Sequence, residues 1–223
     1  MRFRALVATS LLVALGAAAL ASAAGITVWK TSFKSRADVR EVRALSGPKN
    51  SCQKSWRDKT ALGVTVKGGP SDCALATPVQ GDAAQPNHIV RVLAKMNKAT
   101  DEKFRKTFYL GVIVRADKKE SYELRVFPGP RKFQLLKSGE VLQQGKDKAV
   151  AGGAKKNRLQ IEAKGQTISA TVNGKQVASF RDENAEQVTG RGTGLSYGAR
   201  SRSKKAEGVG FFDQLKVQVP SKG

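Results

Sequence analysis

Histidine appears once in 223 residues, cysteine and tryptophan twice each, and 18 acidic side chains face 40 Lys plus Arg. Each shortage excludes something. A nucleophilic triad needs a base, and His88 is the sole histidine; following Pro86 and Asn87 at a loop-to-strand entry, it reads as a surface or capping residue. One His and two Cys do not make a zinc site. No cofactor motif is present, and the composition leaves room only for a structural Ca²⁺ on Asp and carbonyl oxygens. Cleaving a glycosidic bond takes two facing carboxylates, and no Glu-x-Asp-x-Glu pattern supplies them along one strand. Glu120 and Glu123 are three apart, which places them on opposite faces of a strand, while Asp182, Glu183 and Glu186 share a polar, loop-like stretch. The expectation is a chain that binds rather than cleaves.

What is present is charge on top of a core. The formal net charge is +22, yet 40% of residues are hydrophobic, so the charge decorates a fold rather than a disordered tail. It is spread along the chain, with concentrations at 103–106, 155–158 and 200–205. Such a surface attracts polyanions: envelope polymers, acidic glycans and, by peripheral contact, lipid headgroups. Nucleic acid would be bound only non-specifically, since no helix-turn-helix, zinc or aromatic RNA-binding motif occurs.

Residues 1–24 read as a secretory signal: Arg2 and Arg4 open it, an apolar run from Ala5 to Leu20 follows, and Ala21-Ser22-Ala23 is a cleavage pattern. The rival reading is an uncleaved anchor. Either way the expected location is outside the cell or in its envelope. Export makes a Cys52–Cys73 disulfide the favoured reading over two separate buried thiols, and closing that loop would stabilise the fold by roughly 3 kcal/mol. Residues 25–223 have the length of a single domain.

Apolar residues recur mostly with period two, the signature of strands. Leu62, Val64 and Val66 alternate with other residues, as do Phe108 to Val114, ending at Arg115, and Tyr122, Leu124 and Val126 before the Pro128-Gly129-Pro130 breaker. From Arg158 to Phe180, a turn at Lys164-Gly165 and a type I′ hairpin at Asn173-Gly174 frame three strands. Val209 to Val219 closes the chain, with Phe211, Leu215, Val217 and Val219 assigned to one face and Asp213 interrupting it. A short helix is the weak alternative over Ala94 to Lys106. The glycines at 190, 192 and 194 lack the strand-to-helix context of a phosphate loop and read as turns and close strand approach. The expected fold is an all-β sandwich of antiparallel sheets.

The stretches Asn157-Arg158-Leu159-Gln160-Ile161, Gly165-Gln166-Thr167-Ile168 and Val172 to Val177, then Gly192 to Leu195 and Phe211 to Val217, occur in an order and spacing that resembles the concanavalin A-like jelly-roll superfamily. The likeness is to laminin-G-like domains and the bacterial 3-keto-disaccharide hydrolase domain, and it covers Tyr122 to Val219; Gln214 departs from the closing strand's usual Asn. It implies two packed antiparallel sheets, one concave, in a group that includes sugar binders, adhesion modules and glycosidases. Asn173 and Asp213 are architectural in that pattern.

Candidate ligand contacts are Arg115 and Arg125, which face away from the Val and Leu series, Trp56 beside Arg57, and Tyr197 near Arg200. For each a plain role, as solvated or core-edge residue, competes. Three functions remain open: a secreted binder of a glycan or anionic envelope polymer, a divergent glycoside or keto-disaccharide hydrolase, and a structural envelope protein held by charge.

Overall fold

The computed structural model describes residues 25–57, 60–79, 86–117, 120–184 and 190–219. The leader at 1–24 and Glu186 lie outside the described residues. Chain order is β1 (Ile26–Thr31), α1 (Arg36–Glu41), β2 (Arg43–Ser46), β3 (Cys52–Arg57), β4 (Ala61–Lys67), β5 (Ser71–Ala76), β6 (His88–Met96), α2 (Glu102–Arg105), β7 (Phe108–Ala116) and β8 (Tyr122–Phe127). There follow β9 (Lys132–Lys137), β10 (Glu140–Lys146), β11 (Lys156–Lys164), β12 (Thr167–Val172), β13 (Lys175–Arg181), β14 (Gly192–Ala199) and β15 (Glu207–Val219).

These strands form two antiparallel sheets, a jelly-roll sandwich. One runs β13-β12-β11-β6-β15-β4-β3, with β1 also pairing β15; the other runs β10-β9-β8-β7-β14-β5-β2. The core lies between them, built from alternate residues such as Val90, Val92 and Ala94 of β6 against Leu110, Val112 and Val114 of β7. The Cys52–Cys73 disulfide forms and ties β3 of one sheet to β5 of the other.

Turn chemistry explains the hairpins. Asn173 and Gly174 both take positive φ, 51° and 86°, as a type I′ turn requires, and Ser138-Gly139 does the same between β9 and β10.

Three expectations are corrected. Ala94–Met96 belongs to β6, and the helix there is only Glu102–Arg105; alternate burial from Val90 to Met96, not helical spacing, decides it. In β15 the inward face is Phe212, Leu215 and Val217, while Phe211 points outward opposite Lys95. A bulge between Asp213 and Lys216, with Gln214 at φ 50°, adds a residue and switches the parity of the strand. His88 is fully buried at the start of β6 instead of lying on the surface. Among the described residues no helix is long and apolar enough to cross a membrane.

Candidate functional site

A cleft of about 760 Å³ crosses the outer face of the seven-stranded sheet. The registers show how its floor is assembled. One cross-strand row is Asp72, Gly198 and Tyr109; the next is Ala74, Ser196, Gly111, Arg125 and Gln134; the third is Ala76, Gly194, Ile113, Glu123 and Leu136. Successive residues on one strand face sit two apart, so these rows stack along the cleft. Small residues of β5 and β14 leave the volume open, and the long polar residues come from β7 and β8.

Arg125 is the hub. It is buried, and its Nε and Nη2 donate to the two carboxylate oxygens of Glu123 at 2.6 and 2.8 Å. Its Nη1 reaches Asp72 Oδ1 at 3.4 Å, and its guanidinium lies 4.4 Å over the Tyr109 ring. Gly111, opposite Arg125 in the ladder, has no side chain to obstruct that path. Tyr109 Oη donates to Asp72 Oδ1 at 2.6 Å, and Arg200 approaches Asp72 Oδ2 at 3.3 Å from the margin. Burial opposes the charge on Arg125, but its hydrogen bonds to Glu123 and the charges of Glu123 and Asp72 outweigh it and raise its pKa. Burial, then the nearby Glu123 charge, pushes the Tyr109 phenol up, so it remains a hydrogen-bond donor at any physiological pH.

Two features set the chemistry. First, among the described residues the lining carries four carboxylates, Asp72, Asp117, Glu120 and Glu123, and one cation, Arg125, with Arg200 at the margin, so carboxylates outnumber cations there in a chain of net charge +22. Second, Ser196 is 2% exposed in the floor, and its Oγ has no hydrogen-bond partner in the protein. A buried hydroxyl left unpaired costs free energy that a polar ligand group would recover. Among the described residues no group of three or more His, Cys, Asp or Glu could hold a metal ion.

Of the residues singled out from sequence, the cleft contains Arg125, with Arg200 at its edge. Arg115 is elsewhere: its φ of 51° turns the side chain out of the strand's alternation, and it donates to Pro86 O, Asn87 Oδ1 and Gly165 O at 2.9, 3.1 and 2.5 Å. It clasps the loops at one end of the sandwich. Trp56 packs on the core edge of the other sheet, donates from Nε1 to Phe33 O at 3.0 Å and lies under Arg36. Tyr197 is a core residue, 1% exposed, whose Oη bonds Gln53 O at 3.2 Å; burial pushes its phenol up to about 12.

Asp72, Tyr109 and Ser196 escaped the sequence reading, and Glu123 entered it only as one half of a discounted pair with Glu120. Asp72 and Glu123 come from strands 51 positions apart, and the shared arginine holds them one guanidinium apart. Glu120 also lines the cleft, on the loop before β8 rather than on a strand, so the alternation rule does not govern it.

No family model matches the sequence, and no curated protein does. Solved structures do match in shape. A Bacillus subtilis protein of unknown function with a galectin-like fold has a TM-score of 0.65 at 13% identity, covering 87% of this chain and 96% of its own. The carbohydrate-binding module CBM66 from Bacillus subtilis has 0.57 at 14% identity, over 80% and 95%. A laminarinase from Flavobacterium sp. UMI-01 has 0.59 at 12%, over 86% and 99%. The chain therefore has the jelly-roll fold used by glycan-binding modules and glucan-cleaving enzymes alike, and its function must be argued from the cleft.

Proposed function

We propose that this chain is an exported glycan-binding domain and that the cleft over the seven-stranded sheet is its binding site. The observation that carries the reading is the fixed Glu123–Arg125–Asp72–Tyr109 network beside the unpaired hydroxyl of Ser196. It is a preorganised set of donors and acceptors over an open floor of small side chains. Sugar hydroxyls both donate and accept, so they suit such a set, and the volume falls within the ~300–1,000 Å³ of small-molecule sites. The surplus of carboxylates favours a neutral sugar over an acidic one.

Titration calorimetry against a panel of neutral oligosaccharides tests it. Asp72→Ala, on a half-exposed side chain, is expected to keep the fold and weaken binding at least tenfold, about 1.4 kcal/mol. Ser196→Ala should leave unfolding free energy within about 0.5 kcal/mol of wild type, because no protein partner is lost, yet weaken the sugar several-fold. A blank panel, or affinities unchanged in both variants, overturns the assignment.

One observation favours a second reading, hydrolysis. Asp72 and Glu123 both contact the Arg125 guanidinium, which brings two carboxylates into one cleft. Against it, both oxygens of Glu123 already accept from the arginine fork. Turnover of a disaccharide panel that vanishes in Asp72→Asn and Glu123→Gln would establish catalysis; binding without turnover would exclude it.

A further inference from the structure

The eight-stranded sheet presents its outer face on the opposite side of the molecule, and its charge has the opposite sign. A recess of about 340 Å³ there is lined by Arg91, Arg158 and Lys216, with Gln160, Thr171 and Gln214 around them and no acidic residue. Beyond Leu93, which lines both, a second recess of about 170 Å³ carries Lys95 and Lys156, with Asp213 and Phe211. These cations belong to neighbouring strands β11, β6 and β15, so they form one patch.

The arrangement is costly to the free protein. Lys156 stands directly opposite Lys95 across β11–β6, and Lys216 directly opposite Arg91 across β15–β6. Facing side chains in an antiparallel ladder lie about 5 Å apart at Cβ, and like charges there are destabilising. The facing Lys156 and Lys95 gain from an anion placed between them. Arg91 Nε already donates to Gln160 Oε1 at 2.6 Å, which fixes the guanidinium plane in the recess.

From this face we propose a second binding site, independent of the cleft, for a linear phosphodiester chain of polyols or sugars. Guanidinium groups suit phosphate because their fork of N–H donors matches its oxygens. The larger recess holds more than a phosphate, and Gln160, Thr171 and Gln214 meet the hydroxyls of the unit that carries it. Lys95 and Lys156, in the adjoining recess, take the next phosphate as point charges. A base-bearing nucleic acid fits less well, because the larger recess contains no aromatic ring for bases to stack on. The domain then joins two polymers, a neutral glycan on one sheet and a phosphate polymer on the other.

The test uses poly(glycerol phosphate) oligomers titrated against the mature protein over a range of salt, with single-stranded DNA and polygalacturonate of equal charge as comparators. Replacing Lys95, Lys156, Arg158 and Lys216 by Gln is expected to weaken poly(glycerol phosphate) at least 30-fold. It should flatten the slope of log K on log salt by about 3, near 0.7 per cation removed. A control with the exposed Lys34, Lys49, Lys103 and Lys106 changed to Gln removes the same charge from other places and should lose less than threefold. Removing the facing like charges should leave the melting temperature unchanged or higher, which separates loss of binding from loss of fold. Equal losses in both variants, polygalacturonate binding as tight as the phosphate polymer, or tighter binding of DNA would each overturn the proposal. The cleft variant Asp72→Ala should bind poly(glycerol phosphate) as wild type does, so failure at one face leaves the other standing.

Discussion

Gly198 faces Tyr109 across the β14–β7 ladder, and a Cβ at Gly198 would lie 2.6 Å from Tyr109 Cε1 and 2.7 Å from its Oη. The phenol occupies the space where a side chain would have been. That position aims Tyr109 Oη at Asp72, the residue opposite Gly198 on its other side, and sets the ring beneath Arg125.

Gly198→Ala must therefore displace the ring or the strand. Overpacking of this kind costs about 1–3 kcal/mol. Urea unfolding should show that loss, and glycan affinity should fall with it. Tyr109→Phe keeps the ring and loses only the hydrogen bond, for about 1 kcal/mol.

Arg125 neutralises buried Glu123 and part of Asp72. Arg125→Met leaves Glu123 without its partner, at an expected cost of about 3–5 kcal/mol. The double variant Arg125→Met with Glu123→Gln should recover much of that cost. A double-mutant cycle from denaturant melts measures the coupling, and additive losses would show that the pair contributes nothing of its own.

Asp182 predicts the acid limb of stability. It accepts from Lys137 Nζ at 2.6 Å, from the Tyr122 hydroxyl and from Asn184 N at 2.9 Å. Burial alone would raise its pKa, but these bonds more than offset that and hold the carboxyl below the usual range. The unfolded chain then binds the proton more readily, so Asp182 contributes fully above about pH 4–5 and its contribution is lost as pH falls toward the folded-state value. Asp182→Asn should lower stability at pH 7 and flatten its decline between about pH 5 and 3, as followed by circular dichroism.

The Cys52–Cys73 bridge closes a loop with a sequence separation of 21. Reduction should cost roughly 3 kcal/mol in the chain-entropy account, read as a lower denaturation midpoint in the presence of a thiol reductant. An unchanged midpoint would mean that β3 and β5 are held by the core alone.

Much of the sandwich was legible because its strands obey simple alternation. β7, β8, β11 and β12 place Val, Leu, Ile and Ala inward at every second residue, and turn signals mark the ends of several of them. Where backbone conformation intervenes, alternation fails. Gln214 inverts the face of β15, and Arg115, sharing its positive φ, leaves the surface its position suggested. The cleft was legible only in part. Arg125 follows from alternation on β8, but its partnership with Asp72 depends on the cross-strand rows from β5 to β8, which join residues far apart in the chain. Ser196 carries no sequence signal at all, since its significance lies in the absence of a partner around it.

The pairing of Ile26 with Val219 in the β1–β15 ladder sets how the domain responds to force. A pull applied between residues 26 and 219 acts across that ladder, not along it, so its hydrogen bonds open one after another from the end. Such peeling meets less resistance than a shear that loads the whole ladder together. Tension entering through the two ends would detach β1 first, while the rows that build the cleft, all in the other sheet, remain intact.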